Sequence, residues 1–596
     1  MKTLYKILLL SVLSVSSFAQ SVIQNNTTSI SITPDGVRTN HPPSNDPTNT
    51  ALGLDALKLN VSKSNNTAFG ANTLKNNSVG SDQSFYSVGN SAFGTDALMN
   101  NTTGFQNSAF GSFTMRNNIS GGYNSAFGTG SLFANTGGSN NTAMGWEALS
   151  GNSNGSANTA IGFAALNSNS TGQSNVAVGN EAMRNHFLGN DNVAIGDKAL
   201  YHNRAGSRST AVGSGALYFA HNNVLPADND NVAVGYRAMY GSNAPVNNTG
   251  KFNTAIGDLT LEDFTSGSNN AALGYNALTN TTAGNFNSAL GNNTLLNNVA
   301  NSRSTAVGYG AMERADNRST GRDTYNTAVG VFALRGSGTT ANNTGINNTA
   351  VGDLALSDNT SGSGNVVVGK DALKNNTGGS NNTIIGFEAG LTNTSGNNNI
   401  YIGYRANSTN SSNKLVIENS NSDQPLIIGD FTNDKLGINR TYSDLIGRGE
   451  VFQVTGEAFK TLGTGNWIIP SDRRLKENIS YLDSQEILDK VLKMKGVTFY
   501  WKDKSKGKEE VYGFIAQELQ TVFPSNVKTD NAGYLSASYG SYDPMLVESI
   551  KALKQLIDVQ KELAEQQSQQ IRRLEQELSS LKKNIEIVTA DEKSRK

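Results

Sequence analysis

From Ser471 to Ile479 the chain reads S-D-R-R-L-K-E-N-I, which sets a hydroxyl among several cations. A serine hydroxyl acts as a nucleophile only when a base removes its proton. No histidine follows His221, and a lysine can serve as the base only when neutral. Burial, or neighbouring cations such as Arg473 and Arg474, would lower a lysine pKa from about 10.4 toward that state. The rest of the chain offers little chemistry. It has no cysteine, and its four histidines (His41, His186, His202 and His221) form no tight cluster. A disulfide scaffold, a cysteine-ligated zinc site and a thiol nucleophile are excluded, and no cofactor is expected.

The elements that must position this stretch belong to two different kinds of protein. Of the 79 asparagines, 67 precede residue 401. From Ser471 onward 41 of 126 residues are charged, against 54 in the first 470. The formal net charge of −1 excludes a nucleic-acid binder that works by bulk electrostatics. At the start, Lys2 and Lys6 precede an apolar run from Ile7 to Val15, then Ser17, Phe18 and Ala19. That order is a secretory signal peptide over 1–19, too short to span a bilayer. The expectation is a secreted or cell-surface protein without stable membrane insertion.

An Ala/Val–apolar–Gly signature recurs in 20 copies from Gly53 to Gly403. Fourteen of the spacings are 17 residues, four are 22 and one is 24. The unit reads N-T-A-φ-G-x-x-A-L-x-x-N-x-x-G-x-x. Its two apolar pieces, such as Thr142–Met144 and Ala148–Leu149, are too short for helices. Stacked in register they make a parallel β-solenoid, or β-roll, with a thin interior built on alanine. Glycine and asparagine suit the corners, and stacked Asn and Thr side chains can bond along the array. Insertions such as Asn222–Asp230 should bulge from one face. His186 and His202 lie about one coil apart and are expected as solvated surface residues.

The N-[ST]-A-φ-G units resemble the head repeats of trimeric autotransporter adhesins, over about Asn49 to Ala406. The resemblance implies left-handed parallel β-rolls in a homotrimer, and a host-surface or glycan ligand as a partner. A structural spacer without a specific ligand is the competing reading. A calcium-binding roll lacks its recurring Asp, and an ice-binding face lacks a regular Thr array. A glycosidase rod lacks a recurring carboxylate pair. Beyond Ala406, Leu415–Glu418, Pro425–Gly429, Leu436–Ile438 and Val451–Val454 read as strands of a small β-rich neck.

The S-D-R-R-L-K start at Ser471 and the Y-G-F-I-A-Q-E-L block from Tyr512 to Leu519 resemble the C-terminal intramolecular chaperone of phage endosialidases and other tail spikes. A self-cleaving segment of the myelin regulatory factor type is related. The resemblance implies self-cleavage before the motif serine by a Ser/Lys dyad. Carried onto this chain, the scissile bond is Pro470–Ser471, Ser471 is the nucleophile and Lys476 the general base. Asp472, Arg474 and Glu477 are expected as ion-pair partners. An uncleaved chaperone that stays attached is the alternative.

Apolar or small residues then step by four and three from Leu546 to Val588, with Gln560 and Gln567 as polar interruptions. That heptad seam is a coiled coil. Its residues do not decide between two and three strands; the resemblances imply three. The expected order is therefore signal peptide 1–19, linker 20–48, solenoid 49–406, neck 407–470, chaperone/autoprotease 471–545, coiled coil 546–588 and tail 589–596. The whole is a mostly β chain ending in a small α+β domain and a long helix. Near-identical coils can pair out of register, so three chains clamped at one end would start aligned.

Overall fold

The computed structural model describes residues 21–25, 28–33, 36–39, 48–60, 64–77, 88–220, 225–244, 247–455, 472–502, 508–529, 533–538 and 542–595. The signal peptide, expected over 1–19, lies outside the described residues. The chain divides into two units, Met1–Thr432 and Asn433–Lys596.

The first unit carries the repeat. Each coil contributes one three-residue strand, paired in parallel with the same strand of the next coil. Thr142, Ala143 and Met144 face Thr159, Ala160 and Ile161, and the same register holds from Thr50 onward. The repeat is a mostly β solenoid, as its spacing predicts. The 22-residue coils keep the register: Thr210–Val212 pairs with Val232–Val234. Within the first of these coils, Ala227–Asp228 forms a short side pair with Gly206–Ser207. Segment 20–48, expected as a linker, carries three antiparallel strands, Ser21–Asn25, Thr28–Thr33 and Gly36–Thr39.

The coil follows from its residues. The middle strand residue, Ala143 for example, points inward and is fully buried, and only a small side chain fits so narrow an interior. Gly145 then turns the chain at φ +138°, where an added Cβ would stand 2.3 Å from the Gly162 carbonyl oxygen of the next coil. Glycine is required there by conformation and by space. Two further corners fall on non-glycine residues, Glu147 and Leu149, both at positive φ. For Leu149 this costs about 1–2 kcal/mol, which burying its side chain offsets by about 1.5–3 kcal/mol. The second apolar piece of the unit is therefore a turn that buries Ala148 and Leu149, with the Leu149 N–H donating to Ala165 O at 2.9 Å.

Two ladders of buried asparagines run through the stack. In one, Asn158 donates from its backbone N–H (3.0 Å) and its side-chain amide (3.2 Å) to Asn141 Oδ1, and again to Gly172 O at 2.9 Å. In the other, Asn152 Nδ2 donates to Asn135 Oδ1 at 2.7 Å and to Gly155 O at 2.9 Å. Buried amides are tolerated because nearly all find a partner one coil away, a carbonyl three residues on, or both. The second ladder breaks wherever the next coil lacks an asparagine. Asn169 is followed by His186, Asn203 by Ala220 and Asn298 by Ala315, and each of these three asparagines has an unpaired Oδ1.

His186 corrects the expectation of a solvated side chain. It occupies an interior ladder position and is completely buried, its ring nitrogens 2.6 Å from Asn203 O and 2.8 Å from Gly189 O. His202 is half-buried and stacks on Phe219, with ring centroids 5.2 Å apart.

Near its end the interior changes. The inward alanine becomes Val367, Ile384 and then Tyr401, all fully buried. Gly390 makes room where earlier coils carry leucine, so that Tyr401 and Ile384 pack against it. The parallel ladder runs one strand beyond the repeat, pairing Ile400–Ile402 with Leu415–Ile417. The strand Lys414–Ile417 then pairs antiparallel with Ile427–Asp430, and a buried ion pair joins Lys414 Nζ to Asp430 Oδ2 at 3.3 Å.

In the second unit Lys435–Ile438 pairs in parallel with Phe452–Val454, and a short helix (α1, Tyr442–Ile446) lies between them in sequence. Helix α2, Ser484–Val491, is N-capped by Asp483, which accepts from the Glu486 N–H at 2.8 Å. Two strand pairs follow, Val497–Phe499 with Val511–Gly513 and Val527–Thr529 with Leu535–Ala537; α3, Ala516–Val522, stands between them in sequence. Leu519, Phe523, Val527 and Tyr542 form a small core. Helix α4 spans 52 residues, Asp543–Ser594, and begins with Pro544 in its first turn. Its first turns pack on α2, where Ser484 Oγ donates to Glu548 Oε2 at 2.6 Å.

Candidate functional site

The stretch that opens at Ser471 is a turn built from its own charges. Asp472 caps a single 3₁₀ turn, Arg473–Leu475, accepting from the Arg474 N–H at 2.8 Å. The Arg474 guanidinium returns to the same carboxylate through Nε (3.1 Å to each oxygen) and a terminal nitrogen (2.6 Å). Arg474 thereby holds the Asp472 carboxyl below the usual carboxylate range. The pair is the ion-pair role expected of both residues. It also means that the charge of Arg474 is matched locally, which weakens the field it offers a neighbouring lysine. Lys476 closes the turn, its backbone N–H donating to Arg473 O at 3.1 Å, and it is exposed. Ser471 and Pro470, the expected nucleophile and cleavage position, lie outside the described residues.

The second sequence block supplies support rather than reacting groups. Tyr512 and Gly513 end a strand, and Phe514 meets the Tyr542 ring at 6.0 Å at the start of α4. Leu519, from the first turn and a half of α3, is buried in the small core. The block ties strand, α3 and the start of α4 into one packed body.

This geometry has a counterpart among known families. Residues 471–528 match the family model described as the chaperone of endosialidase. The match begins at the motif serine and ends within the Val527–Thr529 strand, so the chaperone segment takes in the capped turn, α2, the first strand pair and α3. It follows a long repetitive β-solenoid, as the two resemblances in the sequence imply. No curated protein matches the chain.

A second feature went unread in the sequence. The third residue of every ladder strand, from Leu52 to Ile417, is apolar, and none of these side chains is buried. Phe93, Phe110 and Phe127 stack along this row, with centroids 4.7 Å apart at each step. Met144 and Ile195 remain 43% and 41% exposed. The neighbouring outward position carries mainly Thr, Ser and Val. The signal was present in the φ of the repeat unit; periodicity alone does not say which of two alternating positions faces inward. The alanine does, and the larger residue is left outside.

Proposed function

We propose that the chain is a secreted, homotrimeric, adhesin-like fibre whose C-terminal chaperone aligns the three chains and then removes itself. The observation that carries this reading is the unbroken apolar row. Eleven of its side chains, among them Met144, Ile195 and Leu290, are 36–47% exposed and the rest are partly exposed, a continuous apolar strip of the kind that marks an association surface. A surface of that length, with no charge along it, fits another copy of the same row. Helix α4 supports the reading independently. Its seam residues Leu546, Ile550, Ile571, Leu574, Leu578 and Leu581 are all exposed. Ile at a with Leu at d suits two strands, whereas Leu556 and Leu563 at g widen the stripe beyond what two helices cover. Together with the chaperone match, the wider stripe favours three.

Removal proceeds by attack of Ser471 Oγ on the Pro470 carbonyl carbon. Lys476 is exposed in the single chain, so the step belongs to the assembled trimer, where burial makes the amine neutral; there it takes the hydroxyl proton and delivers it to the departing Ser471 nitrogen, leaving an ester that water opens. The products are a carboxylate at Pro470 and a free amine at Ser471. Expression of wild type, Ser471→Ala and Lys476→Ala, followed by denaturing gels and mass spectrometry, tests the step. A new N-terminus at Ser471 in the wild type alone is expected; an intact wild-type chain in folded trimers refutes it. Glycan-array binding of the solenoid distinguishes an adhesin from a spacer.

A further inference from the structure

Across the middle of α4 the seam changes character. The a positions read Ile550, Ile557, Ala564, Ile571, Leu578 and Ile585, and the d positions Leu546, Leu553, Gln560, Gln567, Leu574, Leu581 and Val588. One small residue is thus flanked by two amides, with aliphatic layers on both sides. Gln560, Ala564 and Gln567 are all exposed on the single helix.

We propose that Gln560 and Gln567, with Ala564 between them, set the axial register and parallel sense in which copies of this chain associate. The proposal rests on the trimeric reading above. In register and parallel, each glutamine meets glutamines, whose amides both donate and accept, and the space beside Ala564 accommodates them. A shift of one heptad places Gln567 against Leu574 and Leu553 against Gln560, burying amides without partners, and sets Ala564 against isoleucine. An antiparallel arrangement layers a against d, so Ala564 can meet only one of the glutamines and the other faces isoleucine. Glu577 at g and Lys582 at the following e add an attractive pair in the parallel, in-register state alone. Runs of 17-residue coils are similar enough to specify their alignment only weakly, and here a few polar atoms distinguish the correct alignment from its nearest competitors.

The absence of native cysteine makes the test clean. Full-length chains carrying Leu574→Cys and differently tagged full-length chains carrying Leu581→Cys are co-expressed and oxidised. A 574–574 disulfide reports alignment, and a 574–581 disulfide reports a one-heptad slip. With both glutamines present, the 574–574 product should dominate. In the Gln560→Leu/Gln567→Leu background the 574–581 product should rise by about tenfold while helix melting moves to higher temperature. Gln560→Asn/Gln567→Asn should keep the alignment. A double-leucine protein that gains stability and stays wholly in register overturns the proposal. Failure of the underlying reading looks different: the glutamine-containing protein would then give neither disulfide and would sediment as a monomer.

Discussion

Asn124 Oδ1 accepts two hydrogen bonds from Asn141 of the next coil, one from the backbone N–H at 2.9 Å and one from the side-chain amide at 3.1 Å. One oxygen thus satisfies a main-chain and a side-chain donor, both buried, and the motif recurs along the solenoid. Asn124→Ala should leave the Asn141 backbone N–H without an acceptor and its side-chain amide with Gly155 O alone, and cost about 1–3 kcal/mol, read by chemical denaturation. Asn124→Asp keeps the acceptor but buries a charge whose donors to Asn107 and Gly138 are gone, and should cost more.

Gly145→Ala should be worse than any single asparagine loss. The new methyl group meets a backbone oxygen that cannot rotate away, and the residue keeps a φ that alanine avoids. The expected cost is about 3 kcal/mol or more, at or above the usual range for backbone strain. Limited proteolysis should show new cleavage at coils 128–162 while distant coils stay protected, because each coil contacts only its neighbours.

His186→Asn should stabilise the protein. It restores a donor to the unpaired Asn169 Oδ1 and continues the ladder to Asn203, a gain of about 0.5–1.5 kcal/mol. It should also change the pH dependence. Burial pushes the His186 pKa below its ordinary value of 6.5, against the opposing pull of the Gly189 and Asn203 carbonyls. The unfolded chain therefore binds the proton more readily than the folded one. The contribution of His186 is complete above about pH 6.5 and is lost as pH falls toward the lower folded value. Thermal melts from pH 7.5 to 4.5 should show a steeper loss in wild type than in His186→Asn.

Ile161→Lys combined with Ile195→Lys should disrupt association without unfolding the coil. Both side chains point outward, so the inward packing of Ala160 and Ala194 is untouched. Circular dichroism should stay unchanged while the oligomer dissociates on dilution. Loss of the β signal would place these residues in the folding core instead.

Much of this fold was readable from residue spacing. The 17-residue period is the coil, and the Ala–φ–Gly order names its strand and first corner. Tertiary context decided the rest. Leucine at positive φ contradicts local preference, and only burial within the coil makes Leu149 acceptable there. His186 reads as a surface residue until the neighbouring coils place it in the asparagine ladder. Asp472 and Arg474 were legible as a pair because they lie two residues apart and close a local turn. The dyad depends on a contact between Ser471 and Lys476 that spacing does not determine.

The central claim is that three chains associate, through the apolar row of the first unit and through the terminal helix of the second. Sedimentation equilibrium of the intact Ser471→Ala chain tests it directly. The account predicts a single species at three times the mass of the mature chain, persisting on dilution. A well-folded species at the mass of one chain would contradict it.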